Sequence, residues 1–271
     1  MEIVLSIAGS DPSAGAGIQQ DLKTINAVGC YGATVITALT SQNTLGVQGV
    51  MEVPAAVVAS QMESVLSDLD VRTIKIGMIP NAEVAQQIVD TLKAHYTQGQ
   101  GELPPVVYDP VMISTSGRRL MTADTIGVVT RQLLPLCTIV TPNIPEASHL
   151  WGQTIADADD IEKAGRALVK KYGVNFLIKG GHAEGDDMAD RLFAADGTTH
   201  DYHTPRIETR NLHGTGCTLS SAIASYLAKD QPLPEAVGLA KDYVTRAIEA
   251  GRSLCVGRGN GPLGDVRVLG C

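Results

Sequence analysis

EIVLSIAGSDPSAGAGIQQDLKTINAVGCYGATVITAL, residues 2–39, holds two short apolar runs on either side of a longer helical pattern. Glu2–Ala8 reads as a buried strand and Ala33–Leu39 as a second one. Between them Ile18, Leu22 and Ile25 recur at helical spacing, so Ile18–Ala27 reads as a helix. A helix between two strands is the crossover that makes them parallel, because a tight turn joins only antiparallel neighbours. The habit continues along the chain. Helices are expected at Ala55–Leu69, Ala82–His95, Ala123–Leu134 and Ile161–Tyr172, and strands at Thr73–Gly77, Val106–Tyr108, Thr138–Val140 and Phe176–Ile178. The expectation is an α/β fold, a mostly parallel sheet with helices on both faces.

Two stretches break the pattern. Asp190–Ala195 and Thr198–Thr204 flank Asp196-Gly197, which predicts an antiparallel ribbon closed by a two-residue turn. Thr218–Lys229 and Pro234–Gly251 then read as two consecutive helices. Gly99–Pro105 is too short for a domain linker, so residues 1–271 are expected to form a single domain.

Composition narrows the function. Of 271 residues 44% are hydrophobic and 18% charged, which excludes a largely disordered chain. The formal net charge of -8 suits no obvious role on duplex nucleic acid, where lysine and arginine must neutralise phosphates. The start, MEIVLSIAGSDPS, lacks a basic region, and no apolar run approaches the ~18 residues of a membrane span. The five cysteines show no metal-binding or disulfide spacing. A soluble cytoplasmic protein is expected.

In open parallel sheets the ligand lies beyond the carboxyl ends of the strands. Six polar clusters fall there: Gly9–Gly17, Gly77–Met78, Asp109–Gly117, Thr141–Glu146, Lys179–His182 and His213–Cys217. Gly214, Thr215 and Gly216 open a helix, where backbone N–H groups and the helix dipole favour an anion. Cys217 at that helix start is expected to have a lowered thiol pKa and to accept a proton from an attacking hydroxyl. A flexible helix entry followed by a small buried cysteine would look the same.

Asn143 and Glu146 lie three apart, so they either organise a magnesium ion or form a capping box. Asp109 before Pro110 is a metal- or phosphate-directed carboxylate or a turn. Lys179 is a point charge for phosphate or a loop lysine. The Gly9–Gly17 loop has neither Gly-Lys-Ser/Thr nor G-x-G-x-x-G, and reads as a close-packed loop offering backbone groups to a small ligand. Gln42, in a polar segment ending a strand, can donate and accept toward a heteroaromatic edge.

Together DPSAGAGIQQDLKT, ALTSQNTLGVQ, KIGM, DPVMISTSG, TPNIPEA, IKGGH, HGTGCTLSSA and the GRGNGP tail resemble hydroxymethylpyrimidine/phosphomethylpyrimidine kinase of thiamine biosynthesis. The resemblance implies a ribokinase-like three-layer α/β/α sandwich with a mostly parallel central sheet, usually a homodimer. It implies ATP and Mg²⁺, and two successive phosphorylations of a hydroxymethylpyrimidine. Carried over by motif, Gly214, Thr215 and Gly216 form the anion hole and Cys217 stands where many related kinases have an aspartate base. Gln42 and Gly9 read the pyrimidine's polar edge, while Asp11, Met78 and Val111 line its pocket. Asp109 and Glu146 organise Mg²⁺, with Asn143 and Lys179 near the nucleotide phosphates.

Ala14 departs from the family pattern, which commonly has glycine there, and its methyl is expected to narrow the loop. Two rivals are a cysteine-containing pyridoxal kinase and a non-catalytic pyrimidine sensor. The first is characterised by a second cysteine in the lid after DPVM, where this chain has Ile113-Ser114-Thr115-Ser116. Thr115–Leu120, with Gly117, Arg118 and Arg119, is expected to close as a phosphate-seeking lid.

Overall fold

The computed structural model describes residues 1–97, 101–112, 121–180 and 187–266. Among the described residues nine strands form one sheet in the order β3-β2-β1-β4-β5-β6-β7-β8-β9. They are β1 (Ile3–Ser10), β2 (Tyr31–Asn43), β3 (Gly46–Glu52), β4 (Val71–Ile76), β5 (Val106–Tyr108), β6 (Ile139–Val140), β7 (Asn175–Lys179), β8 (Asp187–Phe193) and β9 (Thr199–Pro205). The six that lie from β2 across to β7 in that order run parallel, and β3, β8 and β9 add antiparallel edges.

Alternation along each strand decides which layer a residue joins. Leu5, Ile74, Ile76, Val106, Tyr108 and Phe176 face a core packed by α2 (Ala55–Leu66), α3 (Ala82–Thr97) and α6 (Ala158–Tyr172). Val4, Val107, Ile139 and Leu177 face the opposite core, with α1 (Gly17–Ala27), α7 (Thr215–Ala228) and α8 (Leu233–Gly251). The result is the expected three-layer α/β/α sandwich. Two shorter helices, α4 (Ala123–Val128) and α5 (Ile144–Trp151), complete the first layer.

Three local expectations need correction. The strand expected to end at Leu39 continues to Asn43 and turns back through β3, a strand absent from the sequence reading. Thr40–Asn43 is polar and carries little strand signal, yet its backbone is satisfied by pairing from Asn43↔Gly46 to Ala38↔Glu52. The Asp196-Gly197 turn is one residue longer than predicted, closed by Ala194 N donating to Thr198 O at 2.9 Å. A two-residue type I′ turn needs positive φ at both central positions, and only Gly197, at +90°, has it. The helix expected over Ala123–Leu134 stays α-helical only to Val128, then widens into a π turn and tightens into a 3₁₀ turn at Leu134–Leu136. Pro135 has no N–H to return to the preceding turn, so the ladder cannot continue.

Candidate active site

One open cleft of about 1470 Å³ lies at the carboxyl edge of the parallel strands, and every site residue expected from the sequence lines it. A single small ligand fills roughly 300–1,000 Å³, so this cleft has room for two side by side. The expected lid at 113–120, with its Ile113–Ser116 segment, and Gly181 and His182 lie outside the described residues.

The start of α7 forms the middle of the cleft floor. Gly214 caps it with φ +90° and no side-chain cap, and its carbonyl accepts from Thr218 N at 2.8 Å. A Cβ on Gly214 would stand 1.9 Å from Gly15 O, so glycine is demanded by both backbone angle and space. The N–H groups of Gly216 and Cys217 belong to the first turn, which a helix's own ladder leaves unpaired. Across from them, a Cβ on Gly216 would lie 3.0 Å from Asp109 Oδ2 and 3.5 Å from Lys179 Nζ.

On one side, β1 and β2 carry the residues suited to a small polar ring. Gly9 passes close to Met78, whose Sδ would be 3.1 Å from a Cβ there, and Thr37 Oγ1 donates to Met78 O at 2.7 Å. Gln42 Nε2 lies 3.2 Å from His213 Nε2. Asp11 lines the cleft but its carboxylate is spent on its own loop. Ser13 N and Oγ donate to Oδ1 at 2.8 and 2.7 Å, and Ala16 N donates to Oδ2 at 3.0 Å. Asp11 Oδ2 also stands 2.9 Å from His213 Nε2. Burial pushes the Asp11 carboxyl up, but the hydrogen bonds from His213 and Ser13 hold it below the usual carboxylate range.

The GRGNGP tail buttresses this side. Thr44 Oγ1 accepts from Arg258 N and Gly259 N at 3.2 Å each, and Thr44 O from Asn260 N at 2.9 Å. Next, His213 N donates to Gly261 O at 3.1 Å. The tail thus ties the Gln42 hairpin to the loop that opens α7.

On the other side the groups are charged. Lys179 Nζ donates to Asp109 Oδ1 at 2.9 Å, and Thr141 Oγ1 lies 3.3 Å from the same oxygen. Lys179 is therefore a tethered charge rather than a mobile one. Burial pulls its ammonium down, but Asp109 and Glu146 together hold it above the usual lysine range. Asn143 and Glu146 form a capping box: Glu146 N donates to Asn143 Oδ1 and Asn143 N to Glu146 Oε2, each at 2.9 Å. The box and the cleft coexist, because Glu146 also lines the cavity, with Oε1 3.3 Å from Met112 N. Burial pushes the Glu146 carboxyl up to about 7; Lys179 opposes this and Asp109 reinforces it. Beyond them Met188, Pro205, Ile207, Leu219, Val244 and Ile248 give the cleft an apolar end.

One expectation fails on physical grounds. The Cys217 thiol is not lowered. Burial pushes it up to about 11; Lys75 pulls against this, and the carboxylates of Asp21 and Asp109 add to the rise. Ala14 sits at φ +59°, a left-handed conformation that glycine adopts without strain.

The sequence reading missed His213, Lys75 and Asp21. His213 was in view beside Gly214, but nothing local linked it to Asp11. Lys75 stands between Ile74 and Ile76 in β4, and Asp21 between Ile18 and Ile25 on the buried face of α1. Two opposite charges at core positions were the available signal.

The family model described as phosphomethylpyrimidine kinase matches residues 11–264. A hydroxymethylpyrimidine/phosphomethylpyrimidine kinase from Rhizobium meliloti (strain 1021) is 47% identical over 262 residues, 96% of each chain. The crystal structure of phosphomethylpyrimidine kinase from Clostridium difficile 630 is 41% identical, with a TM-score of 0.79 over 92% of this chain and 100% of that one. An ADP complex of Bacillus subtilis pyridoxal kinase is 31% identical, with a TM-score of 0.86 over 98% of this chain and 97% of that one.

Proposed function

The chain belongs to the phosphomethylpyrimidine kinase family, and from that premise we propose its reaction and the role of each side chain. It is a ribokinase-like phosphotransferase of thiamine biosynthesis. It moves the terminal phosphoryl group of ATP onto the hydroxymethyl of 4-amino-5-hydroxymethyl-2-methylpyrimidine, and a second one onto that monophosphate to give the diphosphate. The observation that carries this reading is the position of the α7 start, between a polar-ring half and a charged half of one cleft.

Phosphoryl transfer is loose and asks chiefly for positioning and charge neutralisation. Gly9 and Gln42 orient the pyrimidine, with His213 held by Asp11 beside it, and Met78 and Val111 wall the ring. The N–H groups of Gly214, Gly216 and Cys217 stabilise negative charge on the group in flight, while Thr215 N donates to Leu212 O at 3.3 Å and holds the turn; such a preorganised donor set contributes several kcal/mol elsewhere. Lys179 and Asn143 hold the nucleotide phosphates. Cys217 takes the hydroxyl proton as its thiolate. The raised thiol makes that form scarce in the free protein, and Asp109 supplies part of the rise.

Asp109 and Glu146 both line the cleft, and such a pair fits Mg²⁺, which binds through one or two carboxylates plus substrate phosphates. Among the described residues no cluster of three or more His, Cys, Asp or Glu is poised for a metal. Asp109 and Glu146 would hold the ion, which would supply charge neutralisation at the phosphates.

We extend the reading to a cytoplasmic homodimer with the whole chain as its catalytic domain. Exposed Leu45 and Met51 on the β2–β3 hairpin supply an apolar surface for such a pair. No helix among the described residues is long and apolar enough to cross a membrane.

The test is ATP consumption with Mg²⁺ and the hydroxymethylpyrimidine, with pyridoxal in parallel and products resolved by mass. Mono- and then diphosphate of the pyrimidine is the expected result. Pyridoxal phosphate as the dominant product, or tight pyrimidine binding without turnover, would overturn it.

A further inference from the structure

Lys75 and Asp21 are both fully buried, and their ion pair lies outside every role assigned so far. Such a pair is expensive, since taking two charges out of water costs several kcal/mol per ion, and well-packed apolar residues often serve stability equally well. Its place in the fold gives a reason for keeping it. Strand alternation sends Ile74 and Ile76 into one core and Lys75 toward α1 and α7. Asp21 is saturated. Lys75 Nζ donates to its two oxygens at 2.9 and 2.8 Å, Ser221 Oγ donates to Oδ1 at 2.8 Å, and Ser6 Oγ to Oδ2 at 2.6 Å.

Ser221 stands one helical turn after Cys217, on the same face of α7. The pair therefore lies directly under the anion-binding turn. It is also oriented. Lys75 contributes to the lining of the cleft, whereas Asp21 lies behind it. Two of the ammonium's three N–H donors serve Asp21, and the third has no partner among the described residues. Nζ would stand 2.9 Å from a Cβ on Gly77, the strand-end glycine beside Met78.

Resting on the kinase reading, we propose that Lys75 is a positioning residue for phosphoryl transfer, a fixed buried cation, anchored by Asp21, whose positive end faces the start of α7 and steadies negative charge gathering at Gly214–Cys217. Burial holds Lys75 back from carrying charge, but Asp21 outweighs it and keeps the ammonium above the usual lysine range. At the Cys217 thiol, after the dominant effect of burial, the pull of Lys75 exceeds the push of Asp21.

Removing one partner alone would strand a buried charge, so the test replaces both. Lys75→Met/Asp21→Asn and Lys75→Met/Asp21→Leu neutralise the pair in two ways. In either variant that folds, judged by thermal melting, kcat is expected to fall about tenfold or more, while KM for the pyrimidine stays within about threefold. The second readout needs no turnover. Anionic iodoacetate and neutral iodoacetamide alkylate Cys217, with exposed Cys255 as internal reference. In the wild-type protein the iodoacetate-to-iodoacetamide rate ratio at Cys217 is expected to exceed that at Cys255 by about fivefold, and to lose that excess in the neutral pair. A folded neutral variant with wild-type kcat and an unchanged ratio would overturn the proposal. Should neither variant fold, the wild-type ratio decides, and no excess at Cys217 overturns it. Absence of pyrimidine phosphorylation by the wild type would remove the kinase reading and the catalytic half of the proposal, while the alkylation ratio still reads the charge.

Discussion

Gly214→Ala isolates the tightest backbone approach in the cleft. Gly214 has φ +90°, and its missing Cβ would lie 1.9 Å from Gly15 O. Alanine there adds about 1–2 kcal/mol of left-handed strain. Since real contacts of this kind do not fall under 3.0 Å, Gly15 and α7 must also separate by at least 1.1 Å. Such overpacking costs a further ~1–3 kcal/mol. The total, about 3 kcal/mol, lowers Tm by roughly 6–12 °C in a chain of this size. A displacement of about 1 Å at the start of α7 is also expected to cost ~10²-fold in kcat. Gly173→Ala is the control. Gly173 ends α6 at φ +72° with nothing within 4 Å of an added Cβ, so it carries the strain without the clash. Its Tm should fall only about 2–8 °C, with kcat unchanged. Thermal melting and steady-state ATP turnover on both variants read the difference. Equal Tm losses with kcat preserved in Gly214→Ala would refute the close approach as the constraint.

Ala14→Gly should act the other way, since relief of left-handed strain exceeds the entropy gained by the unfolded chain, a net ~0.5 kcal/mol and about 1–2 °C in Tm; a lower Tm counts against the assigned backbone angle. Glu146 gives a pH dependence. Its carboxyl, at about 7 in the folded chain through burial and Asp109, keeps a proton that an unfolded glutamate gives up near ~4.3. Stability of the metal-free protein is therefore greatest below the lower value and falls by about 2–4 kcal/mol as pH rises through 7. Denaturant melts at pH 5 and pH 8 should show that loss, and Glu146→Gln should flatten it; equal slopes in both proteins would exclude Glu146 as the source. Cys217→Ala should lower kcat by about 10²-fold, the usual size of a general-base contribution, with ATP affinity within about threefold; an unchanged kcat removes Cys217 from the mechanism.

Short-range pattern in the sequence was enough for the architecture and the family. Strand–helix alternation from Glu2 onward specified a parallel sheet with two covered faces. The glycine-rich entry to Thr218 marked a candidate anion site, and the ordered set of strand-end motifs marked the family. These are local features, since a helix start or an apolar strand is written in neighbouring residues. Interactions between residues distant in sequence were decided by tertiary structure alone. Asp11 meets His213, Lys75 meets Asp21, and Thr44 receives the tail at Arg258–Asn260, across separations no periodicity connects. The same holds for charge state. Locally, Cys217 at a helix start promises a lowered thiol and Glu146 an ordinary carboxyl. Packing α7 and α5 against the sheet strips water from both, and lost hydration outweighs the pull of Lys75 on the thiol and of Lys179 and the capping bonds on the carboxyl.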